Sequence, residues 1–117
     1  MQYLLLIYDS EKAMTEMPEA ERNQLHADYV TFTKDIMASG HHRGGDALQP
    51  THTATTVRVR DGKTAFTDGP FAETREQLGG FYLVEAKDLD EATAIAARIP
   101  SAKVGSIEVR PVMNFTV

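Results

Sequence analysis

Two short apolar runs, each followed by a segment of helical periodicity, constrain this fold more than any other feature. Tyr3–Tyr8 is a continuous apolar run that ends at Asp9, a pattern typical of a central strand buried on both faces. Gly80–Ala86 is a second run of the same character. Strands this apolar must be covered, so the helices that follow them are expected to pack on a shared sheet.

The first helix is predicted from Pro18 to about Ser39. Pro18 suits the first helical turn, and Gly40 suits the end of the helix. Apolar side chains recur there at three- and four-residue spacing, which indicates one buried stripe: Leu25, Tyr29, Phe32 and Ile36. The polar segment Ser10–Met17, between the strand and this helix, is expected to be a loop.

A second helix is predicted from Asp88 or Asp90 through Ala97, because either aspartate can cap it. Its sheet-facing side chains are expected to be Leu89, Ala92, Ile95 or Ala96, and Ile99. Pro100 stops the helix, and Ile107–Phe115 closes the sheet, with Pro111 acceptable only at an edge or bulge.

The middle of the chain predicts a hairpin. His41–Leu48 indicates a short connection or edge strand, and Thr53–Arg60 alternates like a half-buried strand. Asp61-Gly62 supplies a tight turn, and Lys63–Thr67 returns as the partner strand. The predicted fold is therefore α+β: a ferredoxin-like α/β sandwich with an antiparallel sheet, an added β-hairpin, and two helices on one face. The other face would be bare, so we expect a homodimer in which a second subunit covers it.

Length and charge narrow the functional classes. The 117 residues fit a single domain, residues 1–117, and a net charge of −5 without clustered Lys or Arg argues against nucleic-acid binding. The chain has no cysteine, which excludes disulfides and a thiol nucleophile. MQYLLLIYDS is too short an apolar stretch for a signal peptide or membrane span, so a cytoplasmic protein without membrane contact is expected. Its partner is expected to be a small ligand or another protein.

The segment Thr67–Phe81, TDGPFAETREQLGGF, holds the most unusual local chemistry. Asp68-Gly69-Pro70 predicts a turn at which the chain leaves its sheet. Phe71 then follows with charges of both signs, and Gly79-Gly80 allow close backbone approach. Such a loop is a candidate binding site. The alternative is that Phe71 plugs the loop into the core and the charges are solvated.

TDGPFAETREQLGGFYLVEA, with the N-terminal MQYLLLIY and the closing IEVRPV, resembles the YCII-related family in its DGPF-type branch. The resemblance spans nearly the whole chain and implies a dimeric α+β barrel with a ferredoxin-like subunit. It also implies a His–Asp acid/base pair, and an association with extracytoplasmic-function sigma factors that some members show.

His26 and Asp68 are the candidate catalytic pair. His26 flanks the buried stripe of the first helix, and histidine is the natural proton carrier near neutral pH. Arg58 or Arg75 is a candidate for binding a substrate anion, and Phe71 for walling the pocket. The alternative assigns His26 and the arginines to solvated surface and Asp68 to turn formation. No cofactor or metal site is expected, since phosphate-binding glycine motifs and chelating histidine spacings are absent from the sequence.

Two functions remain open at this point. One is a cofactor-independent acid/base enzyme acting on a small organic acid or lactone. The other is a non-catalytic ligand- or protein-binding module that serves sigma-factor regulation.

Overall fold

A four-stranded antiparallel sheet forms the body of the protein, as described by a computed structural model covering residues 1–115. The strands lie in the order β2-β5-β1-β6, and β3 and β4 form a separate two-stranded hairpin. The bounds of the strands are β1 Gln2–Asp9, β2 His42–Ala47, β3 Thr55–Arg60, β4 Lys63–Asp68, β5 Gln77–Glu85 and β6 Ser106–Pro111. The helices are α1 Glu11–Glu16, α2 Glu19–Ala38 and α3 Leu89–Ala97, with 3₁₀ turns at Thr51–Thr53 and Pro100–Lys103. The predicted ferredoxin-like α+β arrangement is confirmed.

The core lies between one face of the sheet and the helices α2 and α3. Strand β1 contributes Tyr3, Leu5 and Ile7, which alternate with less buried residues because successive side chains point to opposite faces. The helices add Phe32, Ile36, Ala92, Ile95 and Ala96, and the buried apolar set is completed by Val84, Ala86 and Ile99. In α3 the Asp88 side chain accepts a hydrogen bond from the Glu91 amide, so the predicted cap is confirmed.

The prediction of a loop over Ser10–Met17 is wrong, because this segment contains α1. The Ser10 side chain accepts a hydrogen bond from the Ala13 amide at 3.1 Å and starts the helix. Glu11 holds it in place, since its carboxylate accepts hydrogen bonds from the Thr51 amide and hydroxyl at 2.8 and 2.5 Å. A six-residue helix depends on such tertiary contacts, which periodicity does not report.

The alternation in Thr53–Arg60 predicted a strand half-buried against the body. In the structure the hairpin instead projects from the body. Asp61 and Gly62 both have positive φ, as the tight turn requires. Nearly every side chain of β3 and β4 is exposed, and Phe66 is 71% exposed. The radius of gyration, 16.3 Å, exceeds the roughly 13–14 Å of a compact chain this long because of this arm.

The prediction that β1 is buried on both faces is wrong for the single chain. The face opposite the helices carries Leu4 and Leu6 of β1 opposite Leu83 and Phe81 of β5, and all four are only partly buried. This open sheet face is apolar at its centre. Glu108 and Arg110 of β6 border it, in register with Leu6 and Leu4.

Two strand boundaries and the orientation of one residue also differ from the sequence prediction. Strand β5 begins at Gln77 instead of Gly80, and β6 ends at Pro111 on the edge of the sheet. Leu89 does not face the sheet: it is the first residue of α3 and lies exposed. Residues in the first turn of a helix have packed neighbours on one side only. The buried apolar stripe of α3 therefore begins one turn later, at Ala92.

Candidate functional site

A large cleft lies between α2 and the sheet, and α1 and the segment after β2 form its rim. Its volume is about 1080 Å³, the size that encloses a small organic molecule. Leu25 and Tyr29 of the predicted buried stripe line this cleft, which is why they are only partly buried. Other apolar and aromatic residues of the wall are Ile7, Val30 and Tyr82.

A chain of three hydroxyl and carboxyl groups forms part of the cleft wall. Tyr29 of α2 donates its hydroxyl hydrogen to Ser101 Oγ at 2.6 Å, and Ser101 donates to Asp9 Oδ2 at 3.1 Å. Ser101 is 1% exposed, so its hydroxyl is held in this bridging position. We call these residues the Asp9–Ser101–Tyr29 chain.

Close packing brings Ser101 to the end of β1. The segment after Ser101 approaches the strand at Gly105, where an added Cβ would lie only 2.1 Å from the Tyr8 carbonyl oxygen. Only glycine fits that approach without displacing backbone. Asp9, the last residue of β1, therefore meets a side chain that lies 92 residues away in sequence.

The surroundings of the Asp9–Ser101–Tyr29 chain shift the pKa of two of its groups, the Asp9 carboxyl and the Tyr29 hydroxyl. Burial raises the pKa of Asp9 above its usual value, and Glu76 and Glu11 add to the rise, although the Ser101 hydrogen bond opposes it. Burial also raises the pKa of the Tyr29 hydroxyl. Titratable groups perturbed by burial in a cleft are typical of functional sites.

The opposite wall of the cleft is held by aromatic contacts. The Tyr82 hydroxyl shares a 2.7 Å hydrogen bond with Thr33, and its ring meets Phe32 edge-on with the centroids 5.2 Å apart. His42 lies against the same ring at 6.3 Å. These contacts fix Tyr82 as a rigid surface on which a flat ligand could stack.

His26 lies on the cleft wall, one helical turn before Tyr29. Residues three apart on a helix have Cβ atoms roughly 5–6 Å apart, so a small ligand can reach both side chains. Charged residues of both signs line the same cleft: Asp9, Glu11, Lys12, Arg22 and Lys34. The site thus offers a proton carrier, carboxylates and cationic groups around one space.

The other predicted site residues lie outside the lining of this cleft. Asp68 ends β4, and Arg58 lies in β3, so both belong to the projecting hairpin. Phe71 is 79% exposed and Arg75 is exposed, so the alternative in which Phe71 plugs the core is wrong for the single chain. The structure brings His26 to the cleft without bringing these four residues to it.

Sequence reasoning missed Asp9, Tyr29 and Ser101 as site residues. Asp9 had served only to mark the end of the strand, Tyr29 only as part of the helical stripe, and Ser101 only as part of a turn. One signal was available in the sequence, because Tyr29 is the one stripe residue with a hydroxyl, and a buried hydroxyl needs a partner.

The described residues show neither a metal cluster nor a membrane helix. Residues 1–115 contain no group of three or more His, Cys, Asp or Glu side chains arranged to hold a metal ion. In the same range, the helices are all too short or too polar to cross a bilayer.

The fold and the cleft define a ferredoxin-like α+β protein with an open cleft between its first long helix and its sheet. Sequence comparison gives the family: the YCII-related domain matches residues 1–116, and the chain belongs to that family. An uncharacterised protein of Rhizobium meliloti (strain 1021) is 37% identical over 117 residues, covering 98% of this chain and 94% of the relative.

A solved structure shares the fold. It is 5-chloro-2-hydroxyhydroquinone dehydrochlorinase from Burkholderia phenoliruptrix AC1100, in a complex with 2,5-dihydroxybenzoquinone. The TM-score is 0.58 at 15% identity, and the match covers 98% of this chain and 96% of the other.

Proposed function

We propose that this protein binds a small organic acid or lactone in the cleft and acts on it as a cofactor-independent acid/base enzyme. The observation that carries this proposal is the presence of His26 on the wall of a cleft of about 1080 Å³ that carboxylate and cationic side chains also line. A proton carrier beside a cleft of that size is the minimum that acid/base catalysis on a small molecule requires.

His26 is the proposed proton carrier. Neutral imidazole accepts a proton from the ligand, and a carboxylate nearby stabilises the imidazolium that forms. Asp68 is the proposed partner, in keeping with the His–Asp pair that the family resemblance implies. An Asp68→Asn variant tests this pairing, because loss of the true partner shifts the pH profile of turnover.

Cationic side chains would hold the anionic group of the ligand. Arg22 lines the cleft and is the arginine best placed within one chain. Arg58, Arg75 and Phe71 remain proposed ligand-binding residues, and within one chain they lie outside the cleft. Their participation requires a second subunit to present them.

The solved relative supports a small-molecule substrate. That protein is a dehydrochlorinase in complex with 2,5-dihydroxybenzoquinone, a small ring compound with hydroxyl groups. The cleft in this chain is of a suitable size for ligands of that class.

A thermal-shift screen tests the proposal. Small carboxylates, lactones and dihydroxybenzoquinones are added to the wild type and to His26→Ala in parallel, since a ligand that binds the native state raises its melting temperature. A ligand that stabilises the wild type and loses this effect in His26→Ala locates the site, and its turnover establishes an enzyme. A matched Gln24→Ala control, on the same helix but outside the cleft lining, should keep the effect.

The exposed hairpin favours a second candidate function, a non-catalytic module that binds a regulatory protein in a sigma-factor system. An isolated two-stranded hairpin is marginally stable alone, and this one exposes Val57, Val59 and Phe66. Binding of ligand without turnover in the screen would favour this module. We further propose that the protein is a homodimer joined through the open sheet face.

A further inference from the structure

The Asp9–Ser101–Tyr29 chain has a fixed direction. Tyrosine and serine hydroxyls each have one hydrogen to donate, and the carboxylate of Asp9 ends the chain as an acceptor. Ser101 uses its hydrogen on Asp9 Oδ2. This series of hydrogen bonds therefore ends on one oxygen of Asp9, Oδ2, and leaves the other oxygen, Oδ1, for a different donor.

Asp9 Oδ1 lies at the cleft without a donor from the described residues. The hydrogen bond from Ser101 is the one that the Asp9 carboxylate accepts within residues 1–115. Gly79, which also lines the cleft, has no side chain to cover Oδ1, and a Cβ there would stand 3.4 Å from that oxygen. Asp9 is also partly buried, so its carboxylate is a positioned hydrogen-bond acceptor in the cleft wall that is partly shielded from water.

A fixed carboxylate oxygen in such a wall selects ligands that donate a hydrogen. We propose that Asp9 Oδ1 accepts a hydrogen bond from a ring hydroxyl of the ligand, so that the cleft takes hydroxylated ring acids in preference to plain carboxylates. This inference rests on the proposed small-molecule function and names the substrate class of the same site. The ligand's carboxylate would meet the cationic side chains, and its hydroxyl would meet Asp9.

The raised pKa of Asp9 agrees with this role, since a carboxylate kept from water gains from a new donor. Tyr29 and Ser101 act as positioning residues, because Tyr29 bonds to Ser101 and Ser101 bonds to Asp9. Asp9 and His26 line the same cleft, so one ligand can contact both.

Matched ligands test the proposal directly. The 2-, 3- and 4-hydroxybenzoates are compared with their methyl ethers by calorimetric or NMR titration of the full chain at pH 7. Each ether keeps the ring and the carboxylate but has no hydrogen to donate. A hydrogen bond to a charged acceptor predicts that at least one hydroxybenzoate binds about tenfold or more tightly than its ether.

The same titration on variants assigns that preference to Asp9. In Asp9→Ala the ratio between hydroxybenzoate and ether should fall to about one, and in Asp9→Asn to an intermediate value. Ser101→Ala removes the hydrogen bond that lowers the pKa of Asp9, so Asp9 takes up its proton at a higher pH. When the titration is repeated at decreasing pH, the preference for hydroxybenzoates should therefore be lost at a higher pH in this variant than in the wild type. Circular dichroism confirms that each variant is folded, and the wild-type ratio is a test that needs no variant.

The outcomes separate this inference from the proposed function. Ligand binding that depends on His26 but shows equal affinity for hydroxybenzoates and ethers would overturn the role of Asp9 and leave the site intact. A preference for hydroxybenzoates that survives in Asp9→Ala would also overturn it. No binding of any benzoate, lactone or dihydroxybenzoquinone by the wild type would overturn both.

Discussion

Replacing Ser101 with alanine should destabilise the protein substantially, because this buried hydroxyl joins two partners. Ser101→Ala removes a 2.6 Å hydrogen bond from Tyr29 and a 3.1 Å hydrogen bond to the Asp9 carboxylate. A neutral hydrogen bond contributes about 1 kcal/mol net, and one to a charged group about 1.5–3 kcal/mol. Asp9 faces the cleft, where water can replace part of the loss, so we expect a total of about 2–3 kcal/mol.

Urea denaturation followed by circular dichroism at pH 7 measures this loss. For a chain of this length, about 2–3 kcal/mol corresponds to a fall in melting temperature of roughly 8–12 °C. Ser106→Ala is the matched control, because that serine is exposed and makes one hydrogen bond, to Glu76 at 2.8 Å. Its effect should stay within about 0.5 kcal/mol.

The charge of Asp9 gives the experiment a second arm. In an Asp9→Asn background the serine donates to a neutral acceptor, so Ser101→Ala should lose about 1 kcal/mol less than in the wild type. A loss in the wild type no larger than that of Ser106→Ala would refute the reasoning. Equal losses in both backgrounds would refute the charged contribution alone.

Two further predictions concern single positions. Asp9→Asn should raise the free energy of unfolding at pH 7, because a carboxyl with a raised native pKa destabilises the fold once it ionises. Denaturation titrations at several pH values should show this gain vanish as the pH falls below 3.8, the ordinary pKa of the carboxyl. Gly69→Ala should lose about 1 kcal/mol because Gly69 has φ of +96°, whereas Gly44→Ala, at a glycine without positive φ and with open space around it, should not.

The fold was largely predictable from the sequence because periodicity reports burial. The runs in β1 and β5 and the stripe of α2 each bury one side against the same core, and the positive φ of Gly69 confirms the turn that glycine indicated. The hairpin was predicted as an element but not in its exposure. Alternation of side chains shows that a strand has two different faces, and it does not show which body covers one of them.

The candidate site was predictable only in part, because its residues meet through tertiary packing. His26 was found from its place beside a helical stripe. Tyr29 and Ser101 are 72 residues apart in sequence, and Ser101 and Asp9 are 92 apart, so no local motif joins them. Their contact depends on how β1 and the turn after α3 pack, and a chain read element by element does not contain that information.

The open sheet face leads to the last prediction, which concerns assembly. Leu83 lies on β5, one of the two central strands, opposite Leu4, and both are apolar side chains left only partly covered by the chain itself. Such a face is stable in water when a second copy buries it. Light scattering of the wild type should therefore give about twice the chain mass of 12.9 kDa.

Leu83→Glu should convert this dimer to a monomer, because two copies of a buried unpaired carboxylate would face one another across the symmetric interface. Val104→Glu is the control: Val104 is exposed and follows the Pro100–Lys103 turn away from this face, so its variant should stay dimeric. A wild-type monomer would contradict the covered face. A Leu83→Glu dimer that Phe66→Glu dissociates would instead assign the contact to the hairpin, which is the arrangement through which Asp68 and Arg58 of one subunit could approach the other subunit.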